Sequence, residues 1–177
     1  MTKIIGITGV AGSGKSTIAD ILVHDFGFVH VKMAGPLKSM LRAIGLAEAE
    51  IEGDLKNKPC ALLGGITPRH AMQTLGTEWG RNCIHPNLWV DLWGESACSA
   101  LEFGDARGVV CDDVRFANEA DAVRRIGGEI WGVSRDGVLP GTHSSETELA
   151  QIAPDVLIHN GGTIEDLQDT VFALMRK

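Results

Sequence analysis

Residues Gly9 to Ser16, reading GVAGSGKS, fit G-x-x-x-x-G-K-[ST] at every fixed position and are the stretch of this chain best equipped for chemistry. Glycines so spaced let backbone N–H groups curl around an anion, and a helix opening at Lys15-Ser16-Thr17 adds its partial positive charge. Lys15 has the reach for the β- and γ-phosphates of a nucleoside triphosphate, and the Ser16 hydroxyl suits Mg²⁺. Gly9, Ala11, Gly12, Ser13, Gly14, Lys15, Ser16 and Thr17 form the candidate donor-phosphate set. A second candidate is the apolar run Gly108 to Cys111, which ends in Asp112 and Asp113. Acids at the carboxyl end of a buried strand stand where open α/β sheets bind ligands, and beside a phosphate loop they hold Mg²⁺ or orient an attacking hydroxyl. Strand phase does not choose between the two. Ser16 and Asp112 are assigned to the metal, and Asp113 to the catalytic set with Lys15, Arg115 and Arg135.

These groups need a scaffold. Ile4, Ile5 and Ile7 read as a buried strand, and Ile18, Ile21, Leu22 and Phe26 recur at helical spacing before a stop at Gly27. Strands are expected at 3–8, 28–31, 108–112, 129–134 and 155–159, alternating with helices, which predicts a three-layer α/β/α domain on a five-stranded parallel sheet. His30, within the second strand, is expected to be structural. Between the second and third strands the strand pattern disappears. Residues 34–103 are expected to form a helical insert with helices over 36–44, from Pro68 through Leu75, and over 88–101, and a mobile polar loop at 53–68. The core would then be 1–33 and 104–177, with a lid at about 134–146 that contains Arg135 and His143. Thr163 is expected to cap a terminal helix.

The chain has 177 residues, 44% hydrophobic and 22% charged, which suits one globular domain with an insertion. A net charge of −7 argues against broad adhesion to nucleic acid, which requires Lys and Arg to neutralise phosphates. Cys60, Cys83, Cys98 and Cys111 are too scattered for a zinc site and are expected to be buried free thiols in a reducing cytosol. With no signal segment and no apolar run of membrane-spanning length, the expected location is the cytoplasm. No membrane partner is expected, and a homodimer is left open.

Arg69, Arg81, Arg115 and Arg135 fall in segments expected to border a cleft, where guanidinium forks bind phosphate bidentately. Arg69 and Arg115 are assigned to an acceptor anion, Arg135 to the donor or the transferred group. A phosphate loop on the first strand, a helical insert after the second and an arginine-bearing loop after the fourth resemble the layout of nucleoside monophosphate kinases.

A closer resemblance rests on the phosphate loop together with Ala34-Gly35-Pro36-Leu37-Lys38, Arg69, Gln73-Thr74-Leu75-Gly76-Thr77-Glu78, Gly80-Arg81, Asp113-Val114-Arg115-Phe116, Asn118-Glu119 and His143 with Ser145-Glu146. In this order and over nearly the whole chain they look like the deoxynucleoside monophosphate kinases of bacteriophages and prophages. The resemblance implies transfer from Mg-ATP to the 5′-phosphate of a deoxynucleotide in the host cytoplasm. It carries Lys38, Arg69, Gln73, Gly76, Thr77, Trp89, Asp113, Arg115 and Glu119 over to the acceptor site. Trp89 is read either as a base-stacking ring or as core, Glu119 as a sugar or base contact or as a helix N-terminal charge. Three alternatives remain: another small-molecule kinase such as a dephospho-coenzyme A kinase, a kinase acting on a modified base in DNA, and an ATPase switch. The first usually has an acid after strand two, where this chain has Lys32-Met33-Ala34.

Overall fold

The computed structural model describes residues 3–138 and 148–176. It divides into two compact units, Met1–Lys32 with Gly94–Lys177, and Met33–Trp93. The first holds the sheet. Strands β1 (Lys3–Thr8), β2 (Phe28–His30), β3 (Gly108–Cys111), β4 (Glu129–Ser134) and β5 (Val156–His159) pair in parallel in the order β2-β3-β1-β4-β5. Unbroken apolar runs favour this arrangement because a central parallel strand is covered on both faces.

Helix α1 (Lys15–Phe26) and the terminal helix, here α7 (Ile164–Met175), share one core with the sheet through Ile5, Ile7, Ile18, Leu22, Val110, Trp131, Ile158, Leu167 and Val171. Each such aliphatic side chain contributes roughly 1.5–3 kcal/mol when fully buried. Helix α6 (Ala117–Arg125) covers the opposite face. There a Cβ on Gly6 would lie 3.1–3.2 Å from Val114 and Val123, so β1 needs a glycine under α6. The expected three-layer architecture is thus present. Strand ends differ by one residue: β2 stops at His30, β3 at Cys111, and β5 starts at Val156. Val31 N–H still donates to the Val110 carbonyl at 2.9 Å. Thr163 caps α7 as expected, its side chain accepting from Asp166 N–H.

The second unit contains α2 (Gly35–Ala43), α3 (Glu48–Ile51), α4 (Pro68–Gln73) and the start of α5 (Leu88–Phe103). Leu37, Leu41, Leu46, Ile51 and Trp89 form its core, joined by Leu63, Met72, Leu75 and Leu88. The expected insert of 34–103 is longer than this unit, whose boundary falls within α5. Two expectations need correction here. The stretch at 53–68 is not one open loop but carries 3₁₀ turns at Asp54–Asn57 and Ala61–Leu63; its polar composition hid backbone bonds such as Gly65 N–H to Cys60 O at 2.9 Å. Residues Thr74–Ile84, where the helix from Pro68 was expected to end near Leu75, continue as a π-helix closed by His85 N–H donating to Gly80 O at 3.0 Å. Wide i→i+5 turns leave no imprint on a 3.6-residue pattern and are concentrated at functional sites.

Cys60 and Cys111 are buried, but Cys83 and Cys98 are exposed, against the expectation of four buried thiols. No helix among the described residues is long and apolar enough to cross a membrane.

Candidate functional site

The phosphate loop hangs between β1 and α1. At Gly9, φ is +144° and a Cβ would lie 2.3 Å from the Val133 carbonyl, so the chain leaves β1 pressed against β4 in a conformation that only glycine adopts readily. Ser13 N–H donates to Val10 O at 3.2 Å, and the Lys15 ammonium donates to the same carbonyl at 2.8 Å. The loop is therefore curled with its lysine folded over it. Gly14, at φ +108°, passes the chain into α1. Asn160, directly after β5, donates from Nδ2 to Ser13 O at 2.8 Å. Among the described residues, two buried hydroxyls at this end of β1, Thr8 Oγ1 and Ser13 Oγ, have no partner.

A polar corner forms where β3 and β2 end beside the start of α1. Ser16 Oγ donates to Asp112 Oδ2 at 2.9 Å, and His30 Nε2 lies 2.7 Å from Asp112 Oδ1. Asp112 is 5% exposed. Burial pushes its carboxyl up, but the hydrogen bond and charge of His30, the charge of Lys32 and the Ser16 hydroxyl outweigh burial and hold it well below the usual carboxylate range. A deeply set carboxylate that stays ionised, touching a serine hydroxyl, is a hard-oxygen pair. Mg²⁺ typically takes one or two carboxylates together with substrate phosphates and water rather than an all-protein cage. One carboxylate beside one hydroxyl is a donor set of that kind, and the described residues contain no cluster of three or more His, Cys, Asp or Glu side chains able to hold a metal. His30, expected to be structural, is a direct partner of this carboxylate. Its place at the carboxyl end of a strand adjoining β3 was the available signal.

Asp113 is half-buried and accepts from Cys111 Sγ at 3.2 Å. Burial first, and then the Asp113 charge, pushes the Cys111 thiol up, which leaves it unreactive. Arg115 is half-buried between β3 and α6. Glu119 is 3% exposed and its Oε2 accepts from Arg115 N–H at 2.6 Å and Phe116 N–H at 3.2 Å at the start of α6. Arg135 is exposed just beyond β4. His143, Ser145 and Glu146 lie outside the described residues.

In the second unit, Lys38 is 8% exposed and its ammonium sits 2.6 Å from Glu52 Oε1. Arg69 is exposed, its Nε donating to Asn57 Oδ1 at 2.5 Å. Gln73, Gly76 and Thr77 are half-buried along α4 and the π-helix. Arg81 donates to Pro86 O at 3.4 Å. Trp89 is 2% exposed; its indole N–H donates to Gly76 O at 2.7 Å, and its ring lies 2.5–2.6 Å from where a Cβ on Gly80 would be. Of the two readings of Trp89, this is the core one. The exposed ring is its neighbour Trp79, with centroids 6.2 Å apart.

Comparison with known proteins bears on this arrangement. The family model for deoxynucleotide monophosphate kinase matches residues 64–171. A protein of Acanthamoeba polyphaga mimivirus named for that activity is 31% identical over 182 residues, covering 96% of this chain and 94% of its own. The deoxynucleotide monophosphate kinase of Enterobacteria phage T4 is 25% identical, covering 93% of this chain and 95% of its own. Among solved structures, the shikimate kinase of Aquifex aeolicus superposes with a TM-score of 0.56 at 11% identity, over 98% of this chain and 96% of that one. TT1252 from Thermus thermophilus does so with 0.54 at 20% identity, over 98% and 96%. At such identities these structures speak to the fold alone.

Proposed function

The chain belongs to the deoxynucleotide monophosphate kinase family, and on that premise we propose that it moves the γ-phosphoryl group of ATP to the 5′-phosphate of a deoxynucleoside monophosphate, giving a diphosphate and ADP. The observation that carries this reading is the contact between Ser16 and Asp112 at the foot of the phosphate loop. It supplies the metal corner that phosphoryl transfer requires, in the same unit as the loop's N–H groups. Mg²⁺, when bound, would neutralise phosphate oxygens. Ser16 and Asp112 would hold it.

The remaining steps fall to the protein's own side chains. Lys15, now on Val10 O, swings from that carbonyl to the donor phosphates, which offer it a stronger, charge-assisted partner. Asp113 accepts a hydrogen bond from, or orients, the acceptor, and Arg115 and Arg135 balance charge on the transferred group. Arg69, with Gln73, Gly76 and Thr77, binds the acceptor phosphate and sugar. The low net demand for covalent chemistry in this reaction makes positioning and electrostatics the main contributions.

An ADP-release assay with ATP and Mg²⁺ tests the proposal against each deoxynucleoside monophosphate, the ribonucleotides, dephospho-coenzyme A and duplex DNA. Release is expected only with deoxynucleoside monophosphates. Equal release without any acceptor would mark an ATPase and end the kinase reading for this site. Arg69→Ala is expected to raise the acceptor KM about tenfold, the size of one lost charge-assisted contact, with the KM for ATP unchanged. A parallel rise in both constants would remove Arg69 from the acceptor.

A further inference from the structure

The strand farthest in sequence from the phosphate loop reaches back to it. Asn160 is anchored by its own backbone, whose N–H donates to Ser134 O at 2.8 Å, so its side chain leaves from the joined ends of β4 and β5. Its Nδ2 then donates to Ser13 O at 2.8 Å, across a sequence separation of 147. The following residue accommodates this approach: a Cβ on Gly14 would lie 2.3 Å from Asn160 Nδ2, and φ there is +108°. Glycine at this position therefore serves the amide as well as the turn.

The consequence follows from peptide geometry. In a planar trans peptide the carbonyl and the N–H of the same unit point in opposite directions. Fixing Ser13 C=O toward Asn160 thus fixes Gly14 N–H away from it. N–H groups of this loop are the ones that cradle the phosphates in motifs of this kind. The buried Ser13 hydroxyl has no partner, so within the described residues it does not duplicate the hold on this residue.

We propose that Asn160 is a positioning residue of the donor site, setting the Ser13–Gly14 peptide so that its N–H meets the donor phosphates; this rests on the ATP-binding reading above. The role is confined to phosphates, since Asn160 works through the peptide and has no need of the base. The test measures binding of ATP and of inorganic tripolyphosphate, each with Mg²⁺, by calorimetry to the full-length wild type, Asn160→Ala and Asn160→Asp. Both variants are expected to bind both ligands about tenfold more weakly, by the same factor, while the KM for the acceptor nucleotide stays within twofold. Asn160→Asp keeps the volume and loses the donor, so it answers the question if Asn160→Ala does not fold. Loss of ATP binding with tripolyphosphate binding intact would show a base contact and overturn the proposal. So would wild-type binding of both ligands by either folded variant. A wild type that binds neither ligand would instead refute the ATP reading on which it stands.

Discussion

The two ends of the proposed reaction are built differently. At the donor end, Lys15 and Ser13 also bond locally to Val10, but three ties join residues distant in sequence: Ser16 to Asp112, Asp112 to His30, Ser13 to Asn160. The residues assigned to the acceptor in the second unit are held by near neighbours, Arg69 by Asn57 and Gly76 by Trp89. A charged transferring group demands fixed dipoles, whereas selecting among nucleotides calls for a surface that can be rebuilt locally. Long-range ties suit the first task and short-range ones the second.

The sharpest way to break this contrast is at Lys15. Lys15→Ala is expected to lower kcat/KM about 10³-fold, the scale of a lost transition-state donor, with a melting temperature within roughly 2 °C of wild type. Activity within tenfold of wild type would mean that the donor end does not depend on the loop's cation.

Asp112→Asn comes next, with an expected loss of turnover of about 10²-fold. It carries a pH signature as well. The native carboxyl titrates below the unfolded value of about 3.9, so its contribution to stability is complete above that value and is lost as pH falls through the native pKa. Urea melts of wild type and variant between pH 7 and 3 are expected to show the stability gap narrowing on acidification. A gap that widens would show that Asp112 is not the ionised partner of His30 and Ser16.

The smallest expected effect probes the local ties. Gly80→Ala drives a methyl into the Trp89 ring, and overpacking of this kind costs about 1–3 kcal/mol, read in a urea melt. ATP affinity is expected to stay within twofold. A variant as stable as wild type would mean that the π-helix and Trp89 are not packed as described.

Much of the donor end was legible in the sequence because its geometry is local and forced: the glycines, Lys15 and Ser16 follow from one loop between one strand and one helix. Asp112 against Asp113 was not, since choosing between them needs the end of β3, and Cys111 closes that strand one residue earlier than its apolar run with Asp112 implied. The contacts of His30 with Asp112 and of Asn160 with Ser13 were not legible, because each is made from the end of a strand paired elsewhere in the sheet. In the second unit, the contacts of Lys38 and Trp89 were equally hard to read ahead. Their motif positions drew attention, but Glu52 and Gly76 use their polar groups internally. The π-helix was invisible because apolar spacing reports a 3.6-residue period and nothing wider.

The strand order also sets a schedule for the growing chain. β1 is flanked by β3 and β4, so the first strand made finds neither neighbour until Gly108 and the residues after it have left the ribosome. At about 5–20 residues per second that delay is on the order of 5–20 s. Throughout it, Ile4, Ile5 and Ile7 lack both strand neighbours, while the second unit, Met33–Trp93, has its whole sequence in hand before Gly108 is made. Nucleotide binding is thus an ability the protein acquires late in its own synthesis.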